Sequence, residues 1–178
     1  MRIDDIDFSV SMGYINIYFS MLIIPTAVLM LSHSAKYKAA WIYQVFPLTD
    51  YTALKKGSLK AFLLKLYIPL YVVLSIIFCF MYGTRILPDL AAVLFASCLY
   101  TIICYIGFGS NIPFTKPNNE IGDAQSWKIF IFMIIAAIMA GIHYFMASKI
   151  TYGSIIYLVV VAILNFAAWK IVFRGRKK

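Results

Sequence analysis

Five apolar runs dominate the sequence, at about 12–31, 61–82, 90–108, 129–147 and 155–173. Each is near the ~20 residues that a helix needs to cross the ~30 Å hydrocarbon core of a bilayer. A soluble domain is close to half apolar. This chain is 63% hydrophobic with a mean hydropathy of +0.86, and a soluble fold would leave much of that surface exposed. The expected class is an all-α integral membrane protein, with residues 1–178 forming a single transmembrane domain of five helices. Pro25 lies inside the first run and Pro69 inside the second. Proline breaks a soluble helix but is tolerated in a membrane one, so both positions are candidate helix hinges.

The formal net charge is +9, and its distribution sets an orientation. With five spans, alternate loops divide the 16 Lys and Arg residues into 13 on one side and 3 (Arg2, Arg85, Lys149) on the other. Basic residues stay on the cytoplasmic side. The N-terminus is therefore expected outside and the Arg174-Gly-Arg-Lys-Lys tail inside. The acidic start (Asp4, Asp5, Asp7) does not resemble a signal peptide, which begins with a basic stretch. Basicity gathered between apolar runs points to topology and anionic lipid, so no nucleic-acid partner is expected.

The connections differ in kind. Segments 83–89 and 148–154 read as tight hairpins. Segment 109–127 reads as a longer loop broken by Pro113, Pro117 and Gly122, with Asp123 or Ser126 as the cap of the fourth span. The longest polar interval is the first cytoplasmic loop, 32–60, in which lysines and aromatics alternate. From Ser34 to Phe46 it can form a short amphipathic helix. Ser34 is its expected N-cap and Pro47 stops it. Tyr37, Trp41 and Val45 make one stripe, and Lys38, Ile42 and Phe46 its neighbour. Thr49 or Asp50 can then cap a second helix that carries Lys55, Lys56 and Lys60 into the second span, with Gly57 as a bend.

Little of the chain suggests chemistry. The central portions of the spans carry no Asp or Glu. Cys79, Cys98 and Cys104 lie in apolar runs and form no metal-ligand spacing. His33 and His143 read as interfacial polar side chains. No hydrolase elbow or phosphate-binding loop is present. No catalytic residue, metal site or cofactor is expected, and a lipid-modifying enzyme has no constellation to work with. For the 32–60 loop two readings stand. Tyr37, Trp41 and Tyr43 can anchor at headgroup depth, or they can enter the groove of a cytoplasmic partner.

The run SAKYKAAWIY from Ser34, then Phe46-Pro47-Leu48, then Lys55-Lys56-Gly57 ahead of a span, resembles a segment of bacterial ABC-2-type exporter permeases. There a similar S-x-x-Y-[KR]-A-A-W-[IL]-[FY]-x-x-x-P-[LV] stretch belongs to the region that meets the ATPase. Ile112-Pro-Phe-Thr-Lys116 resembles a cytoplasmic P-F-[ST]-[KR] element of the same proteins. Such permeases usually carry at least six spans, so this chain resembles the C-terminal part of a larger one or a short stand-alone version. The resemblance implies a non-enzymatic membrane subunit of an ATP-driven ABC exporter in a bacterial inner membrane. It further implies a separate cytoplasmic ABC ATPase and assembly as a homo- or hetero-oligomer. Tyr37, Lys38, Trp41, Ile42, Tyr43 and Pro47 become the candidate ATPase-docking residues. The alternative is a non-transporting accessory or scaffold protein whose loop holds another cytoplasmic partner or anionic lipid.

Overall fold

The computed structural model describes residues 13–45, 51–109, 111–117 and 122–174, and among these every regular element is helical. α1 combines a 3-10 stretch, Tyr14–Leu22, with an α-helical one, Ile23–Leu31. α2 is the short pair Tyr37–Trp41 (3-10) and Ile42–Val45 (α). Four long helices follow: α3 (Thr52–Tyr82), α4 (Thr84–Gly107), α5 (Asp123–Lys149) and α6 (Gly153–Val172). Lengths and composition make α3 to α6 long and apolar enough to cross a membrane. α1 is shorter, with its apolar part at Ile15–Leu31. Its winding compensates for this. Nine 3-10 residues at ~2.0 Å and nine α residues at ~1.5 Å reach about 31 Å. The fold is thus a helical bundle with four to five membrane-length helices.

α4 is the central helix. In its most apolar window 56% of residues are buried, against 17–22% in the other three long helices. It packs most extensively on α6 and also meets α1. Small residues make this possible: Ala92, Ala96 and Ser97 are fully buried and let neighbouring backbones approach. The peripheral helices turn large apolar side chains outward, among them Phe80, Phe145 and Phe166. In water this surface would aggregate, whereas in lipid it is the solvated face.

Both prolines mark changes of helix type. Along α1, burial follows the three-residue period of its 3-10 part: Asn16 and Phe19 face out, and Ile17, Tyr18, Ser20 and Met21 face in. The α-helix takes over at Ile23, and Pro25 is buried in its first turn. In α3 a π-turn, Leu63–Tyr67, lies just before Pro69, and the Ile68 N–H bonds the Leu63 carbonyl five residues back. Pro69 has no N–H to offer the fourth carbonyl back, and widening the turn redistributes the ladder around that gap. The bend expected at Gly57 is absent, and Gly57 sits within a regular α-helix.

Other boundaries also differ from the sequence expectation. Segment 83–89 is not a hairpin loop. Gly83 alone makes the turn, at φ 79° and ψ 175°, and helix resumes at Thr84. Pro88 is tolerated because first-turn positions have no intrahelical N–H bond to lose. Asp89 therefore lies in a helical first turn, where a carboxylate favours the positive end of the dipole. α3 starts at Thr52, with Tyr51 at the N-cap position, and runs for 31 residues, about 46 Å. Its lysine-bearing first turns thus extend beyond a ~30 Å core. The cap of α5 is Gly122, whose N–H donates to Gln125 Oε1 at 3.2 Å.

Between α5 and α6 the chain turns tightly enough that a Cβ on Gly153 would collide with the Met146 carbonyl. Gly153→Ala is expected to destabilise the bundle by about 1–3 kcal/mol through overpacking. Gly141→Ala, with nothing within 4 Å of the new methyl, should stabilise by up to about 1 kcal/mol through helix propensity. Unfolding in mixed micelles with increasing denaturing detergent measures both.

Candidate functional site

Helix hairpins alternate the chain between two ends of the bundle, and polar structure gathers at each. At one end α1 runs out at Leu31 and meets the segment 111–117. The Phe114 N–H donates to the Leu31 carbonyl at 2.9 Å, the Lys116 N–H to Ser32 O at 3.0 Å, and the Ser34 N–H to Lys116 O at 2.9 Å. This two-way exchange is a short parallel bridge. Phe114 reaches it with φ 59°, a left-handed conformation that a bulky side chain rarely adopts. His33 is buried, its Nδ1 at 2.9 Å from the Leu29 carbonyl and 3.1 Å from Ser32 Oγ.

α2 leaves directly from this bridge. Ser34 is not the N-cap expected of it: its Oγ accepts the Lys36 N–H at 3.1 Å in a turn just ahead of the helix, and the helix starts at Tyr37 with Lys36 at the N-cap position. Tyr37, Lys38, Trp41 and Tyr43 join Tyr51, Ile112 and Thr115 around a hollow of about 420 Å³. The Tyr51 hydroxyl closes one side by donating to the Tyr43 carbonyl at 3.0 Å. Trp41 is 60% exposed and Ile42 44% exposed, whereas Tyr37 and Tyr43 are half-buried. Ile42 is on the outer surface and does not line the hollow. Phe46, Pro47, Thr49 and Asp50, invoked above as helix stop and caps, lie outside the described residues. Four of the six candidate docking residues thus surround one hollow, together with the Ile112 segment.

The opposite end holds a constellation that the sequence reading missed. His143, read as interfacial, is completely buried. Its Nε2 lies 3.1 Å from Asp89 Oδ1 on α4, and its Nδ1 lies 3.1 Å from the Tyr18 hydroxyl on α1. Tyr18 donates to the Tyr157 hydroxyl on α6 at 3.4 Å, and Tyr157 donates to the Met139 carbonyl at 3.5 Å. Tyr157 also stacks on the imidazole, with centroids 4.6 Å apart and planes 8° apart. Four helices converge on one ring. Asp89 and His143 are 54 positions apart, so no local spacing announces them. The available signal was their shared side: the loop count that puts Arg85 and Lys149 at one end of the spans puts Asp89 and His143, close to them in sequence, at that same end. Among the described residues no three His, Cys, Asp or Glu side chains come close enough to share a metal ion.

Between the two ends, hydroxyls tie helices together at mid-depth. The Tyr67 hydroxyl, presented by the π-turn, lies 2.6 Å from Ser97 Oγ and 3.1 Å from Ser20 Oγ. It thereby joins α3, α4 and α1. Tyr100 donates to the Phe132 carbonyl at 2.7 Å, Tyr71 to Leu90 O at 2.7 Å, and the Asn165 amide to Phe95 O at 3.1 Å. Such bonds between membrane helices average about 0.6 kcal/mol and reach about 1.7.

No family model, curated protein or solved structure matches the chain. Tyr67→Phe removes a hydroxyl that serves two partners and should cost about 1–2 kcal/mol, near the upper end for membrane hydrogen bonds. Ser20→Ala removes only the longer of the two bonds and should cost less than half as much. Both are read from the midpoint of unfolding in mixed micelles.

Proposed function

We propose that this chain is a membrane subunit of an ATP-driven ABC exporter that docks a separate cytoplasmic ATPase through α2. In this reading α1 and α3 to α6 are all spans, the N-terminus lies outside, and the α2 end faces the cytoplasm of a bacterial inner membrane. The alternating Lys and Arg count supports that orientation. The ~31 Å reach of α1 supports the fifth span.

One observation carries the reading. The two segments that resemble permease elements, far apart in sequence, are joined backbone to backbone through Ser32, Ser34 and Lys116. Together they surround the hollow beside Trp41. A short helix that only floats at a headgroup layer has no need of such a rigid mount. Here a force on α2 passes to the end of α1 through the Leu31 and Ser32 carbonyls, and to the α4–α5 connection through Phe114 and Lys116. Exposed Trp41 and Ile42 supply an apolar knob, and Lys38 adds charge that can steer a partner. ATPase closure would move α1 and α3, with the changes of helix type at Pro25 and Pro69 taking up the motion. Substrate would then pass between subunits.

The exposed aromatics beside Lys36 and Lys38 also suit anionic headgroups. That favours, as the second reading, an accessory protein without a transport role. Trp41→Ala separates the two. With normal membrane insertion, the exporter reading expects recovery of a co-purifying ABC ATPase to fall at least tenfold, the loss of one central anchor. It also expects transport to uncouple from ATP hydrolysis. Unchanged ATPase recovery and transport would sink it.

A further inference from the structure

Where α3 and α6 pass α4, they leave an apolar groove of about 570 Å³. α3 lines it with the stripe Lys60, Leu64 and Ile68, each four residues from the last, and α6 with Ala162 and Phe166, again four apart. Phe95 of α4 lies in the floor, and its carbonyl accepts the Asn165 amide at 3.1 Å. From Lys60 to Ile68 the groove runs for about 12 Å, against about 15 Å for the hydrocarbon of one bilayer leaflet.

The groove is apolar along its length and basic at one end. Counted back from Tyr82, a ~30 Å core closes near Phe62, so Lys60 stands at headgroup depth. Lys170 stands at the same end of α6, one turn beyond Phe166 on the same stripe. Both lysines are exposed. Neither α3 nor α6 carries an Asp or Glu, and Asp89 of α4 is at the opposite end. The two charges therefore have no acidic partner on the helices that frame the groove. Trp169, also in the lining, rests its ring on Phe173 with centroids 5.2 Å apart. Such an indole offers an apolar body to a chain and an N–H to a headgroup. Two comparable grooves lack these features. One of about 600 Å³ between α3 and α4, at the Gly83 end, and one of about 430 Å³ between α1 and α5 are lined by no charged side chain.

We propose that this groove binds one anionic phospholipid, its phosphate between Lys60 and Lys170 and one acyl chain along Leu64, Ile68, Ala162 and Phe166. Charge selects the headgroup, and the apolar length selects the chain. A second copy of this protein fits less well, because it would bring a further set of lysines to the same end. Free phosphate would leave the apolar length uncovered. α3 and α6 make little direct contact with each other, and the lipid fills the gap between them while touching α4 below. This inference is independent of whether α2 docks an ATPase.

The chain has three tryptophans, so with Trp41→Phe and Trp127→Phe in place fluorescence reports Trp169 alone. This full-length background protein is placed in nanodiscs of zwitterionic phosphatidylcholine. A minor fraction of the lipid is then replaced by phosphatidylglycerol or, separately, by phosphatidylcholine, each carrying bromine near the headgroup end of its chains. Two lysines favour an anionic lipid by on the order of thirtyfold, so brominated phosphatidylglycerol should quench Trp169 at least about threefold more than brominated phosphatidylcholine. Lys60→Gln with Lys170→Gln should bring the two lipids to the same level. Arg85→Gln with Lys149→Gln, which removes equal charge from the other end, should keep the difference. Equal quenching by the two lipids in the background protein would overturn the site. So would a difference that survives Lys60→Gln with Lys170→Gln, or one that is lost equally in both double variants.

Discussion

In hydrocarbon an unpaired backbone N–H or carbonyl costs several kcal/mol, because no water can replace the partner. Among the described residues every regular element is helical, including those that depart from the regular α-helix. The 3-10 half of α1 and the π-turn of α3 keep their bonds inside the helix while changing the period at which side chains appear. The π-turn turns the Tyr67 hydroxyl towards both Ser97 and Ser20, and the 3-10 winding lines up Tyr18 and Met21 on the buried face. Departures from α geometry are thus how this chain aims polar groups inward without exposing backbone to lipid.

The existence and order of the long helices were legible because they rest on length and apolar composition alone. Their ends were not, for reasons that differ case by case. α3 begins well before the apolar run, since Lys55, Lys56 and Lys60 are good helix formers that need only reach water. α4 begins at Thr84 as a 3-10 turn and becomes α-helical at Leu87, so Pro88 falls in the first α-helical turn, where proline is harmless, and GTRILPD, which reads as a run of breakers, hides a helix start. Pro69 announced an irregularity, but the adjustment lies just upstream of it, at Leu63–Tyr67. The hollow beside Trp41 was half legible. Loop alternation put the Ser34 and Ile112 segments on one side, but no pattern in either run foretold the backbone bridge at Lys116. His143 was illegible because its partners come from three other helices, and one-dimensional spacing carries no signal for such a meeting.

The two polar ends are connected through α1. Its N-terminal half carries Tyr18 into the ring cluster, its middle carries Ser20 to Tyr67, and its last carbonyl anchors Phe114. Among the described residues no other helix has a hydrogen bond of this kind at all three places. α4, although more deeply buried, is held on several sides by small-residue packing and behaves as the fixed post. Asymmetry of this kind, one fixed helix and one helix engaged at both ends, allows events at one surface to bear on the other without rearranging the whole bundle.

The winding of α1 gives that connection the mechanics of a screw. A 3-10 helix advances ~2.0 Å and turns ~120° per residue, and an α-helix ~1.5 Å and ~100°. If the nine residues of Tyr14–Leu22 rewound as α-helix, the segment would shorten by about 4.5 Å and its far end would rotate by about 180°. Translation and rotation cannot be separated in such an element. Drawing the N-terminal end of α1 inward would swing Tyr18 off the imidazole and bring the outward line of Asn16 and Phe19 round in its place.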